Sequence, residues 1–127
     1  MKRYHDLIVW QKAHQLVMDI YRITENFPAE EKGGLTSQLR RTVILIPASI
    51  VEGYGSSDFK DFVHATIAAN NALSRLAYLL ELARELSYLS HDQLVLLSEY
   101  LEITSQLLEG VHIRSNKEPG HEYTAHR

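Results

Sequence analysis

Two adjacent arginines, Arg40 and Arg41, are the side chains of this chain best suited to holding an anion. A guanidinium fork matches phosphate oxygens, so a surface repeating the pair would grip an RNA backbone without reading its bases. A second group pairs carboxylates with histidines: Asp61-x-x-His64 and Glu109-x-x-His112, with Glu52 and Asp6 expected at the same end of the fold. Di-iron bundles use two Glu-x-x-His motifs and two further glutamates, so the count fits superficially. The details do not. One motif carries Asp, the residues sit at helix ends beside Gly110, and such metal sites lie in a bundle core. The sequence therefore predicts no metal and no cofactor. It shows no Ser/His/Asp arrangement and no Gly-rich phosphate loop, and Gly53-x-Gly55 follows a helix, where it reads as a C-terminal stop. His5, His14, His91, His121 and His126 have no ligand spacing, and no enzymatic activity is expected.

The elements that must position these residues are four helices. The first is expected over residues 7–27, with Asp6 as N-cap and Trp10, Ala13, Leu16, Val17, Ile20, Thr24 and Phe27 as its inward stripe. Trp10, Tyr21 and Phe27 would suit base stacking, but at helical spacing they read as core. Pro28 ends this helix, and PAEEKGG is the loop. The second helix spans residues 34–55. The third is capped by Ser57 or Asp58 and runs to about residue 88, its stripe including Phe59, Phe62, Val63, Thr66, Asn70, Leu73, Ala77, Leu80 and Arg84. Asn70 is expected on the core stripe, fixing register through a buried hydrogen bond. Ser90-His91-Asp92-Gln93 has the form of a capping box and opens the fourth helix, with Leu94, Leu97, Leu101, Thr104, Leu108 and Val111 inward. Asp92, Glu99, Glu102 and Glu109 form its acidic, solvated side, which would alternatively suit a basic protein partner. From Ile113 the apolar period is lost, so residues 1–112 read as the bundle domain and 113–127 as a fraying tail.

The segment GLTSQLRRTVILIPASIVEGYG is apolar nearly all round. Leu35, Leu39, Val43, Ile46 and Ile50 share one side; Ile44, Leu45, Ala48 and Val51 occupy the others. Pro47 argues against a central strand and predicts a bend in this helix. A helix of this kind must be buried on more than one face. Opposite the core stripe lie Gln38, Arg41, Leu45, Ala48 and Glu52, a patch expected to meet a neighbouring subunit, with Arg41 and Glu52 pairing across the joint. Arg41 thus has three readings: subunit contact, phosphate contact, and a merely solvated side chain.

Short connections between four amphipathic segments predict an all-α, antiparallel up-down-up-down four-helix bundle. At 127 residues the chain suits one domain, and its 45% apolar and 23% charged content is that of a globular protein. The absence of cysteine excludes disulfides and thiolate metal sites and is compatible with a cytoplasmic protein. No secretory apolar run opens the chain, and no stretch reaches the roughly 18–20 apolar residues of a membrane span. A net charge of −3 is not that of a nucleic-acid polycation, so any RNA binding needs a local basic patch.

DLIVWQKAHQLV, the FPAEEKGGLTSQLRR block and the IPASIVEGYG exit together resemble the 23S rRNA intervening-sequence proteins, often labelled S23 ribosomal protein. The resemblance covers roughly residues 4–112. It implies a homopentameric ring of four-helix bundles of largely unknown molecular function, some encoded within insertions in 23S rRNA genes. Accessory proteins of diversity-generating retroelements are similar, and those bind nucleic acid and a reverse transcriptase through basic surfaces. Members often continue the glycine exit with a basic residue, whereas this chain has Gly55-Ser56-Ser57-Asp58. The expectation is a non-enzymatic oligomeric scaffold or accessory protein, associated with RNA or a nucleic-acid-processing partner. A purely structural or protein-binding oligomer is the alternative, and a metal-dependent bundle enzyme a distant third.

Overall fold

The computed structural model describes residues 4–117, and side-chain packing for residues 4–110. Helix α1 is Ile8–Thr24, α2 is Leu35–Gly55, α3 is Phe59–Glu85 and α4 is His91–Lys117, with short 3-10 turns at Tyr4–Asp6 and Ala29–Glu31. Each helix packs on the next, and α1 closes against α4, so the four form an antiparallel bundle. Among the described residues there is no strand. No described helix is long and apolar enough to cross a membrane.

The core follows the predicted stripes closely in α2, where Leu39, Val43 and Ile46 are fully buried and Leu35 and Ile50 nearly so. In α4 the inward residues Leu97, Leu101, Thr104 and Leu108 are buried, Leu94 is half-buried against the core, and the side chain of Val111 lies outside the described residues. Helix α3 differs. Its buried line runs through Phe62, Thr66, Ala69, Leu73, Leu76, Leu80 and Ala83, and Asn70 is exposed. Asn70 Oδ1 still accepts a hydrogen bond of 3.2 Å from Ser105 Oγ of α4, so it links two helices from the surface and not from within. The line keeps Phe62, Thr66, Leu73 and Leu80 of the expected stripe, and the small Ala69 takes the inward place next to Asn70.

The helix ends show how local chemistry sets the boundaries. Leu7, and not Asp6, occupies the N-cap position of α1; Asp6 falls in the preceding 3-10 turn. Asp58 caps α3, its Oδ1 accepting from Lys60 N at 2.9 Å. Ser90 and Gln93 form the reciprocal capping box, with bonds of 3.0 and 2.9 Å. Helix α3 stops at Glu85, short of the expected end, because Ser87 takes φ 66° and Tyr88 N donates back to Ala83 O at 2.9 Å. That is a glycine-type stop made by a serine. Helical backbone in α4 continues to Lys117, past the 112/113 boundary drawn from the apolar period; residues 118–127 lie outside the described residues.

Glu31 organises the entry to α2. Its Oε1 accepts from Leu35 N at 2.9 Å and its Oε2 from the Tyr88 hydroxyl at 2.8 Å, tying α2's start to the turn after α3. A side chain on Gly34 would place its Cβ 2.6 Å from Glu31 Oε1, so glycine there leaves room for the cap. Gly53 has a different role from the predicted stop. It is buried inside α2, and a Cβ there would stand 2.7 Å from Ala65 Cβ of α3. Pro47 also sits within α2, with its ring buried, and cannot donate the bond an N–H would give the Val43 carbonyl.

Two outcomes follow. Gly53→Ala forces α2 and α3 apart and should destabilise the fold by about 1–3 kcal/mol, measured by denaturant unfolding. The bond from Leu35 N, then that from Tyr88, holds the Glu31 carboxyl below its ordinary value of 4.5. Its stabilisation is therefore present above that value and fades as pH falls through the lowered one. The gap in melting temperature between the wild-type protein and Glu31→Gln should be full at neutral pH and close on acidification below 4.5.

Candidate functional site

The arginine pair splits between two tasks. Arg40 points into the α1–α2 seam, where its Nε donates to Thr24 Oγ1 at 2.9 Å and its NH2 to the Tyr21 carbonyl at 3.2 Å. Its guanidinium lies 4.4 Å from the centre of the Tyr21 ring. Thr24 is buried and passes its own proton to the Ile20 carbonyl at 2.7 Å, which leaves its oxygen free to accept from Arg40. Arg40 is thus a half-buried clip between α1 and α2. Arg41 is exposed and donates to Ser37 Oγ at 2.7 Å, one turn back on the same helix.

Around the pair, Tyr21, Lys32, Thr36, Ser37, Arg40, Arg41 and Ile44 line an open hollow of about 460 Å³ between α1 and α2. Three cations, hydroxyl groups and an aromatic ring edge in one depression suit a phosphate group. Lys32 escaped the sequence reading because it lies in the loop before α2, and only the fold brings it beside the arginines. Arg40 retains donors beyond the two bonds described, since a guanidinium carries five N–H groups.

The remaining face of α2 is open. Gln38, Arg41, Leu45 and Glu52 are exposed and Ala48 is half-buried; Ile44 and Leu45 are 42% and 48% exposed beside Arg41. Two large apolar side chains adjacent on one exposed ridge make a small contiguous patch, the kind of surface that marks a contact site.

The carboxylate–histidine group is only partly assembled. Glu52, Asp61 and His64 line one shallow hollow between α2 and α3 with Ser49, Gly53 and Ser56, and Ser56 Oγ donates to Asp61 Oδ2 at 3.0 Å. Glu109 is exposed on α4, Asp6 lies in the first 3-10 turn, and the side chain of His112 is outside the described residues. Among the described residues no three His, Asp or Glu side chains converge on a point that would hold a metal ion. Of the aromatics, Phe27 is core and packs 5.2 Å from the Tyr88 ring. Tyr21 is at the surface, and half-buried Trp10 stacks on His14 at 4.9 Å and meets Tyr4 edge-on at 5.2 Å. Trp10 packs against the edge of the core, as its spacing suggested, whereas Tyr21 does not. His121 and His126 lie outside the described residues.

These features define an all-α four-helix bundle with a basic hollow between its first two helices and an exposed apolar ridge on the second. The chain belongs to the 23S rRNA-intervening sequence protein family, whose model matches residues 5–118. No curated protein matches the chain.

The clip makes Arg40 a stability residue as well as a candidate ligand. Arg40→Ala should cost about 1–3 kcal/mol by removing charged hydrogen bonds and the stack on Tyr21. Arg40→Lys should recover little of it, because an ammonium cannot serve Thr24, the Tyr21 carbonyl and the ring together; thermal denaturation of the two variants checks this.

Proposed function

We propose that the protein is a non-enzymatic oligomeric scaffold or accessory protein. It assembles through the α2 ridge of Gln38, Arg41, Leu45, Ala48 and Glu52. It meets the phosphate backbone of RNA, alone or with a nucleic-acid-processing partner, at the α1–α2 hollow. The observation that carries the reading is the concentration of function-suited chemistry on α2. One side of the helix exposes Ile44 and Leu45 next to Arg41, and the adjoining hollow gathers Lys32, Arg40 and Arg41. Burial of the apolar pair supplies the association energy, and an oligomer repeats the basic hollow around its surface. Contacts of this type read charge and spacing and not base sequence.

A second reading, an oligomer with no affinity for nucleic acid, is favoured by the overall net charge of −3 and by Ser56-Ser57-Asp58 at the glycine exit. Light scattering and a binding titration with structured RNA separate the two. The proposed protein has a mass several times that of one chain, and binds RNA with an affinity that falls steeply as salt rises. Lys32→Glu weakens that binding at least several-fold without changing the mass. An oligomer with no RNA binding even at low salt leaves only the second reading, and a monomer overturns both.

A further inference from the structure

The α2 ridge has a counterpart on the opposite side of the same bundle. Helices α1 and α4 flank a groove whose walls carry Lys12, Gln15 and Asp19 from α1 and Tyr100, Ile103 and Thr104 from α4, with a volume of about 240 Å³. A second depression of about 240 Å³ continues it past Asp19, adding Arg22 and Leu96. Leu96, Tyr100 and Ile103 fall four and three residues apart on one ridge of α4 and are between 38% and 48% exposed, as Ile44 and Leu45 are on α2.

Asp19 marks the groove. Its Oδ1 accepts from Gln15 Nε2 and from Arg22 NH1, each at 3.0 Å. Its Oδ2 is buried and has no donor among the described residues. A buried carboxylate oxygen without a donor is costly, and a cation brought to it removes that cost. The side chain is 15% exposed, and the terminal torsion of an aspartate is soft, so a small rotation presents this oxygen to the groove.

The charges match in order, with Asp19 already holding Arg22 through Oδ1 and keeping Oδ2 for a second cation. Along α1 the groove runs from Lys12 to Asp19, about 10 Å at 1.5 Å per residue. Along α2 the ridge runs from Arg41 to Glu52, about 16 Å by the same rise, within what long side chains can reconcile. Because α2 is antiparallel to α1, Arg41 lies toward the same end of the bundle as Asp19, and Glu52 toward the same end as Lys12. Tyr21 and Arg41 lining one hollow place these ends together. Two copies standing side by side in the same orientation therefore bring Arg41 to Asp19 and Glu52 to Lys12. Two copies packed α2 on α2 would pair Arg41 with Glu52, but would leave the α4 ridge and Asp19 Oδ2 uncovered.

We infer that the α2 ridge of one copy seats in the α1–α4 groove of the next, with Arg41 against Asp19, Glu52 against Lys12, and Ile44 and Leu45 on Tyr100 and Ile103. The contact is head-to-tail, so each copy uses both surfaces and repetition closes a ring or extends a filament. This deepens the oligomer reading above and rests on it. It also divides the labour within the basic hollow, since Arg41 serves assembly while Lys32 and the remaining donors of Arg40 face the anion.

Charge reversal tests the pairing. Asp19→Arg alone and Arg41→Asp alone should each lower the light-scattering mass to that of a single chain while leaving the helical circular dichroism unchanged. Carrying both in one chain should restore the assembly. Because there is no native cysteine, a bismaleimide linker gives an independent readout that does not depend on variant stability. Chains with both Lys12→Cys and Glu52→Cys should form a ladder of covalent multimers, and chains with either one should stop at dimers or below. A wild-type oligomer whose mass survives both reversals, or whose double reversal fails to restore it, or whose double-cysteine form gives no ladder, overturns the pairing and leaves the oligomer reading standing. A monomeric wild-type protein removes the oligomer reading itself.

Discussion

The burial of α2 is the constraint on which the rest of the molecule depends. This helix lies between α1 and α3, and its stripe of Leu39, Val43 and Ile46 loses all contact with water. To hold that position it must approach α3 at Gly53, where no side chain fits, and must be started cleanly at Leu35 by the Glu31 carboxylate. It must also be pinned to α1 by Arg40. Each device acts at a different point along the helix. Together they fix its rotation about its own axis, and that rotation decides which residues remain outside.

What remains outside is apolar and charged at once. With the core stripe turned inward, Ile44 and Leu45 stay nearly half exposed, and Arg41 stands beside them. The same rotation opens the hollow that gathers Lys32 with the arginines. Assembly and anion contact are thus proposed on adjoining sides of one helix, sharing Arg41. The opposite groove, with its bare Asp19 oxygen, gives this arrangement a direction. A ridge that is cationic at one end and anionic at the other fits a groove of reversed order only when neighbouring copies point the same way.

Much of the fold was legible in the residues because it rests on local rules. The capping box at Ser90 and Gln93, the Asp58 cap and the α2 stripe are short-range patterns whose geometry hardly depends on the remainder of the chain. The misreadings have separate causes. Asn70 was placed inward on a four-residue step from Thr66, whereas α3 turns the neighbouring small Ala69 inward. Gly53 resembled a stop because glycine often ends a helix, but here it serves a contact with a residue from another helix. The stop of α3 was placed late because a serine, and not a glycine, takes the left-handed conformation.

The sequence by itself determined the four helices, the starts of the last three, the antiparallel order and the outward side of α2, because periodicity and capping act over a turn or two. Only the tertiary structure decided what the charged residues do. It sent Arg40 into the seam with Thr24, left Arg41 outside, brought Lys32 to both, and set Asp19 in a groove with one oxygen that has no donor among the described residues. The physical reason is that a charge takes its role from the groups around it, and those groups come from helices distant in sequence. Periodicity says which way a side chain faces. Only packing says what it meets there.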